Sequence, residues 1–384
     1  MLRILLTGGG SGGHVYPLLA VADALGFQKV ADAHGVTRDL DVKLSYIGPR
    51  SSFDTDFREK EIRVYHIVSV KLRRYFSLGN FADVPKFFVA LIQALGVLYR
   101  VMPDVVFSKG GTSAFPVVLA ARFYFIPVVI HESDAVPGLT NRLSAHFAKR
   151  VAVSFEEALR FFPAKKTAIT GRPIRKELLN GILPQNGAKE RFHFNLSPPL
   201  VLVLGGSQGA ASLNDFVLSN LPSFIKEFQI LHQTGPSNAE DVSVIASQAL
   251  TEVDPALTKR YRMEAYLDPE RYRDALTAAD IVISRSGSSV FEFAAFGKPA
   301  LLVPLESSAN NHQREDAVAY AKSGAAIVFE KENFTFHVVL QKMKEILNDK
   351  AEYARMANAA RLFAKTGAAE AIAEEVVKIG LRIV

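Results

Sequence analysis

Short apolar runs recur along the first 172 residues, separated by stretches long enough to hold a helix. Leu2 to Leu6, Leu44 to Ile47, Val64 to Val68, Val105 to Phe107, Val128 to Ile130 and Val151 to Val153 have the length of buried strands. The stretch from Val15 to Leu25 carries its apolar residues at helical spacing, and the other gaps leave room for crossover helices. Strand and helix in alternation predict a parallel, doubly wound sheet. The pattern lapses across 171–199, where Gly171, Pro173, Gly181, Pro184, Gly187, Pro198 and Pro199 mark a boundary. It restarts at Leu200 to Leu204, followed by a glycine turn and a helical stretch from Ser212 to Leu221, as at the start of the chain.

A second echo is sharper. Asp104 to Phe115 aligns without gaps on Asp280 to Phe291, with Asp104, Val106, Ser108, Gly111, Ser113 and Phe115 meeting identical residues. Two Rossmann-like halves in tandem account for both echoes. The expected fold is therefore α/β, two Rossmann-like domains facing across an inter-domain cleft. The predicted domains are 1–172 and 173–365, and the closing helical stretch from about 366 to 384 is free to pack on either. Ligands of such sheets bind beyond the carboxyl ends of the strands, which puts the glycine turns in the candidate site.

Composition narrows the class. The chain has 384 residues and no cysteine, so disulfides, thiol nucleophiles and cysteine-ligated zinc are excluded. Its net charge of +6 is uneven: residues 1–172 hold 22 Lys/Arg against 14 Asp/Glu (+8), and residues 173–384 hold 23 against 25 (−2). The first half thus suits an acidic surface or ligand. Only five apolar residues precede the first glycines, so no secretory h-region is expected, and no apolar stretch of membrane-spanning length is expected either. The segment 71–99 is unusual, however. Lys71, Arg73 and Arg74 precede Tyr75, Phe76 and Phe81, and 87–99 is nearly all apolar; with Arg122 to Phe125 it has the make-up of an interfacial patch for an anionic membrane.

The glycine turns carry the candidate chemistry. Gly8 to His14 joins a strand to a helix, whose unpaired N–H groups suit an anion. A dinucleotide site there would need an acidic residue closing the second strand, but that strand ends Gly48-Pro49-Arg50; a P-loop would need Lys where His14 stands. An imidazole beside the turn suits proton transfer instead. Gly205 to Ala210 forms a diphosphate cradle with Ser207, and Arg285, Gly287, Ser288 and Ser289 precede Glu292, a carboxylate able to take two adjacent sugar hydroxyls. Asn310 to Asp316 is dense in groups that read hydroxyls, and Glu132, at the end of a strand, is a candidate general base. The Asp39/Asp41 and Asp54/Asp56 pairs lie away from the turns and are discounted as metal ligands.

In combination, GGGSGGH at 8–14, SKGGTSAFP at 108–116, HE…PGLTN at 131–141, GGSQGA at 205–210 and SRSG…E at 284–292 resemble the MurG family of peptidoglycan glycosyltransferases, glycosyltransferase family 28. The resemblance covers almost the whole chain and implies a GT-B fold. It implies an inverting enzyme, without cofactor or active-site metal, that moves N-acetylglucosamine from UDP-GlcNAc to the muramoyl C4 hydroxyl of lipid I, yielding lipid II for peptidoglycan and cell-wall synthesis. It further implies work at the cytoplasmic face of the cell membrane as a peripheral protein, and no nucleic-acid partner. Donor contacts carry over to Arg175, Ser207, Gln208, Gly209, Leu267, Arg285, Glu292 and Gln313, and acceptor contacts to Ser11, Gly12, Gly13, Gly110, Gly111, His131 and Asn141. His14 and Glu132 are the two candidates for the catalytic base. The chain departs from the family pattern at Ser133-Asp134, at Asp316 and in a spacing from Ser286 to Glu292 that is one residue short. At this level another GT-B enzyme (a glycolipid synthase or a UDP-GlcNAc 2-epimerase) and a non-catalytic nucleotide-sugar binder stay open.

Overall fold

The computed structural model describes residues 1–31, 37–70, 79–206, 208–304 and 312–383. These form two compact units, Met1–Arg175 with Lys365–Val384, and Lys176–Ala364. In the first unit the strands are β1 (Leu2–Thr7), β2 (Lys29–Ala31), β3 (Thr37–Asp39), β4 (Val42–Gly48), β5 (Arg63–His66), β6 (Val105–Ser108), β7 (Val128–Glu132), β8 (Arg150–Val153) and β9 (Thr167–Ile169). Seven of them make a parallel sheet in the order β5-β4-β1-β6-β7-β8-β9, and β2 and β3 form a separate antiparallel pair. The chain direction of the order reverses between β1 and β6, where Thr7 pairs with Ser108.

The period-two geometry of β1 divides its side chains between two cores. Leu2, Ile4 and Leu6 pack with Val15, Leu18 and Leu25 of the helix Gly12–Gly26 and with Ile372, Val376 and Ile379 of the helix Ala368–Gly380. The C-terminal helix thus belongs to the first unit. It lies so close to the sheet that a Cβ on Gly380 would stand 2.9 Å from Leu2 Cδ1. Leu5 faces the opposite side, with Val106, Ile130, Ala94, Leu98, Val117 and Val118.

Ala94 and Leu98 come from the helix Gly79–Val101, which corrects one expectation. By length and composition alone its segment Asp83–Val101, with mean hydropathy 1.5, is sufficient to cross a membrane. The apolar run at 87–99 looked too short because the helix continues upstream through Pro85 and because Gln93 sits inside it rather than ending it. One stripe, Ala90, Ala94 and Leu98, is buried at i, i+4, i+8 spacing against the neighbouring helix Ala114–Phe123. The rest of the surface exposes Phe88, Val89, Ile92 and Tyr99. The basic and aromatic residues at 71–76 lie outside the described residues.

The second unit repeats the plan with β10 (Leu200–Leu204), β11 (Gln229–Gln233), β12 (Tyr261–Glu264), β13 (Ile281–Ser284), β14 (Ala300–Leu302) and β15 (Ala326–Val328). The order is β12-β11-β10-β13-β14-β15, all parallel, and reverses between β10 and β13, where Leu204 pairs with Ser284. The two aligned segments therefore end equivalent strands, β6 and β13, each beside the first strand of its unit. Each reversal leaves a crevice at the strand ends, the usual seat of a ligand in this architecture.

Candidate active site

In the first unit the switch-point crevice is lined by the loops after β1, β6 and β7. Ser11 caps the helix Gly12–Gly26 in extended conformation, and its carbonyl accepts from the N–H groups of His14 (2.9 Å) and Val15 (3.0 Å). Its hydroxyl meets His14 Nδ1 at 2.9 Å. Glycine is required here by close approach: a Cβ on Gly9 would lie 2.9 Å from His14 Nδ1, and one on Gly111 would lie 2.9 Å from Gly9 N and 3.5 Å from His14 Nε2. Gly110 and Gly111 both have positive φ, so the β6 loop folds back onto the β1 loop at His14. Burial first, then the charges of Lys109 and Arg172, lower the His14 pKa to about 3. The imidazole is neutral at physiological pH, and its Nε2 faces Gly111; in the tautomer that donates Nδ1–H to Ser11 Oγ, that nitrogen carries the lone pair.

Glu132 is held differently. One oxygen accepts from Asp134 N (3.0 Å), the other from Gly138 N (3.2 Å) and Asn141 Nδ2 (3.0 Å), so the carboxylate staples the loop that follows β7. Asn141 Nδ2 also donates to the His131 carbonyl (3.1 Å). Burial and then Asp134 push the Glu132 pKa upward, while Lys109 and the hydrogen bonds from Asp134 N and Asn141 oppose them. His131 is fully buried, with Nε2 3.0 Å from the Gly171 carbonyl and 3.3 Å from Ser154 Oγ. It ties β7 to residue 171 and stays neutral, chiefly through burial.

Two cations at this site carried no role in the sequence reading. Lys109, directly after β6, is 3% exposed, and its Cβ lies 3.5 Å from where a Gly8 Cβ would be. Arg172 Nη2 donates to the Gly13 carbonyl at 2.9 Å. The sequence signals for Lys109 were its place before the Gly110-Gly111 pair and its alignment with Arg285; Arg172 gave none. Arg175, expected among the donor contacts, belongs to the first unit and stacks its guanidinium 4.1 Å above the Tyr16 ring.

In the second unit the corresponding crevice is bounded by the loops after β10 and β13. Ser207 lies outside the described residues. Gln208 is exposed, and Gly209, at φ +77, donates its N–H to the Gly206 carbonyl at 3.0 Å. A Cβ on Gly209 would land on the Thr234 carbonyl oxygen. That carbonyl accepts from Asn214 Nδ2 (3.1 Å) and Asn238 Nδ2 (3.0 Å), and Asn238 Nδ2 also reaches the Gln208 carbonyl (3.3 Å). Beneath it His232 bridges Asn214 Oδ1 (3.1 Å) and the Tyr261 hydroxyl (3.2 Å), and burial lowers its pKa to about 4. The residues that lock the turn, His232, Thr234, Gly235 and Asn238, went unmarked in the sequence reading although His232-Gln-Thr-Gly235 closes β11.

Arg285 spends much of its guanidinium on the protein: Nη1 donates to the carbonyls of Val303 (3.1 Å) and Pro304 (3.2 Å), and Nη2 to Ser212 Oγ. It braces three strand-end loops together. Ser286 Oγ donates to the Gln313 carbonyl, which joins the helix His312–Lys322 to the same group. Glu292 lies in the first turn of the helix Val290–Ala295. Leu267 is buried just before Asp268, whose carboxylate caps the helix Pro269–Ala278 through Arg271 N at 2.9 Å. Asp54 is engaged by His66 (3.3 Å) and Ser51 (3.4 Å). Among the described residues no group of three or more His, Asp or Glu side chains is arranged to hold a metal.

Profiles described as the glycosyltransferase family 28 N-terminal domain and C-terminal domain match residues 4–153 and 200–374. A Clostridium botulinum (strain Alaska E43 / Type E3) protein is 37% identical over 351 residues, covering 91% of this chain and 90% of its own. The chain belongs to glycosyltransferase family 28. That relative, and one from Clostridium kluyveri at 37% identity over 92% of this chain and 93% of its own, bear the name UDP-N-acetylglucosamine--N-acetylmuramyl-(pentapeptide) pyrophosphoryl-undecaprenol N-acetylglucosamine transferase. The crystal structure of a MurG from Acinetobacter baumannii matches with TM-score 0.72 at 26% identity, covering 98% of this chain and all of the other. A UDP-GlcNAc 2-epimerase from Neisseria meningitidis shares the fold, with TM-score 0.69 at 14% identity over 98% of this chain and 100% of its own. Family membership places the glycine loops of both switch points in a glycosyltransferase scaffold.

Proposed function

We propose that the protein transfers N-acetylglucosamine from UDP-GlcNAc to the C4 hydroxyl of the muramoyl sugar of lipid I, with inversion, forming lipid II. The observation that carries this is 37% identity across nine-tenths of the chain to relatives named for that transferase. The second unit takes the donor: the 205–210 turn receives the diphosphate at the start of the helix Ala211–Ser219, and Arg285 keeps the adjoining loops in register. Glu292 and Gln313 are the candidates for the sugar hydroxyls, and the backbone at Leu267 for the base. The first unit takes the acceptor at the loops of Ser11 to His14 and Gly110-Gly111.

His14 is the general base of this reading. Its Nε2 is free to accept the C4 proton, whereas both oxygens of Glu132 are already engaged by three N–H donors. Backbone donors at the 205–210 turn offset the charge of the departing UDP. The exposed apolar surface of Phe88, Ile92, Tyr99, Phe123 and Phe125 seats the first unit on the cytoplasmic face of the membrane, where the lipid-linked acceptor is found.

The test is to incubate the protein with labelled UDP-GlcNAc and a lipid I analogue, with and without chelator. Transfer of label to the acceptor, insensitive to chelator, is expected. Conversion of UDP-GlcNAc without acceptor, binding without turnover, or a strict divalent requirement would each overturn the reading.

A further inference from the structure

Lys109 is an anomaly in the first unit. A buried ammonium ordinarily has an anionic partner or several hydrogen bonds, because burial of an unpaired charge is costly. Lys109 is 3% exposed and no ion pair or side-chain hydrogen bond to it is formed among the described residues, yet its Nζ is not one of the fully enclosed atoms, so the stem is buried and the ammonium keeps access to solvent. Its charge acts on His14, His131, Glu132 and Asp134, so the ammonium lies among them without being claimed by either carboxylate. Glu132 is engaged instead by Asp134 N, Gly138 N and Asn141. Lys109 stands at the Gly8 end of the first glycine turn, and Arg172, 7% exposed, is fixed to the Gly13 carbonyl at the other end. Between them run the backbone of 8–13 and the start of the helix Gly12–Gly26.

We propose that Lys109 is a binding residue for the acceptor, its ammonium acting with Arg172 and the turn between them to take a phosphate group of the acceptor's diphosphate. This rests on the reading of the first unit as the acceptor unit. Two cations at the ends of a glycine turn match a diphosphate in charge and supply charge-assisted hydrogen bonds. The seat has a consequence for His14. The charged groups gathered there are Lys109, Arg172, Glu132 and Asp134, with neutral His131 beside them; burial first, and then the charges of the two cations, keep His14 unprotonated. A phosphate bound between them offsets that field, so the proton affinity of His14 rises when the acceptor is present and is low when it is not.

The experiment uses the whole protein with inorganic pyrophosphate as probe, in calorimetry with saturating UDP so that the donor site is filled. Wild-type protein is expected to bind pyrophosphate under these conditions, and pyrophosphate to compete with the lipid I analogue in the transfer assay. Lys109→Met is expected to weaken pyrophosphate and raise the acceptor KM about tenfold, the worth of one charge-assisted hydrogen bond, and to leave the UDP-GlcNAc KM within about twofold. Lys109→Arg retains most of both. In wild type the acid limb of kcat lies at higher pH than that of kcat/KM, and Lys109→Met narrows the gap.

Competition with UDP-GlcNAc alone, or an unchanged acceptor KM in a folded Lys109→Met, overturns the proposal. The wild-type calorimetry decides even if that variant does not fold, since no binding of pyrophosphate beside UDP overturns it too. Because this arm needs no turnover, its outcome stands apart from that of the transferase reading, which the transfer assay on wild type tests.

Discussion

His14, in the first turn of the helix Gly12–Gly26, and Glu132, the last residue of β7, have opposite relations to their surroundings. The imidazole makes one side-chain hydrogen bond, to Ser11, and presents its other nitrogen toward Gly111. The Glu132 carboxylate accepts three N–H bonds that hold the loop from Asp134 to Asn141 in shape. Replacing each tests this division. His14→Ala should lower kcat by roughly 10²–10⁴-fold with little change in donor KM, as expected for loss of a general base. Glu132→Gln converts one accepting oxygen into a donor that faces an N–H group, and should cost about 1–3 kcal/mol of stability, read as a lower Tm, with a smaller loss of kcat than His14→Ala. Equal losses of kcat, with no change of Tm in Glu132→Gln, would return the base to Glu132. The type of both residues was legible in the sequence, because a His after a glycine turn and a Glu at a strand end have recognisable chemistry. Their division of labour was not, since it depends on which N–H groups the 134–141 loop turns inward. Lys109 and Arg172 escaped for the same reason: a lysine and an arginine in a basic half carry no local mark of burial.

At the scale of elements, the six apolar runs read as strands in the first half appear as β1, β4, β5, β6, β7 and β8. Those left unread, β2, β3 and β9, are three residues each, too short for periodicity to register. The turn at 205–210 was legible as a turn, but its lock was not, because Thr234, Asn238 and Asn214 come from other loops and a helix. Gly209→Ala forces a side chain onto the Thr234 carbonyl at a positive φ, whereas Gly206, also at positive φ, has open space around its would-be Cβ. Gly206→Ala should therefore cost only the backbone strain, about 1–2 kcal/mol. Gly209→Ala should displace the loop and raise the UDP-GlcNAc KM at least about tenfold more, or 1.4 kcal/mol in binding. Similar KM values for the two variants would sink the argument. The lock beneath is acid-labile. His232 must be neutral to donate from Nε2 to Asn214 and accept at Nδ1 from Tyr261. Its folded pKa, about 4, lies below the ordinary 6.5, so its contribution is full above pH 6.5 and is lost as the pH falls through 4. Protonation in the unfolded chain over that window takes away about 3 kcal/mol. Calorimetric scans from pH 7.5 to 4 should show a steep fall in the Tm of the transition that includes this unit. His232→Gln should start lower at pH 7.5 and fall less; a parallel fall would assign the acid lability elsewhere.

For the whole molecule, the charge asymmetry and the exposed apolar surface coincide in the first unit, which is what the proposed membrane seat requires. The helix Gly79–Val101 buries one narrow stripe and exposes Phe88 (58%), Ile92 (69%) and Tyr99 (70%). The Phe123 (67%) and Phe125 (83%) side chains continue that surface, because the Tyr124 hydroxyl between them bonds the Leu95 carbonyl of the same helix at 3.4 Å. Arg122 lies 5.4 Å over the Phe125 ring, so a cation accompanies the aromatic group that would enter the headgroup layer. A helix with one flank packed on protein and the other apolar suits insertion along the interface better than passage through it, since a spanning helix would have to leave Ala90, Ala94 and Leu98 unpacked. Ile92→Asp with Phe125→Asp removes two anchors whose full burial is worth about 1.5–3 kcal/mol each. The double variant should bind vesicles of mixed neutral and anionic lipid at least about tenfold more weakly than wild type, with half the transfer free energy enough to account for that loss. Its turnover of a water-soluble acceptor analogue should stay within about twofold, because both side chains are exposed and remote in sequence from the glycine loops. Raised salt should weaken wild-type binding to anionic vesicles and leave any binding to neutral ones unaffected, which separates the basic contribution from the apolar one. Unchanged vesicle affinity in the double variant would remove this face from the membrane.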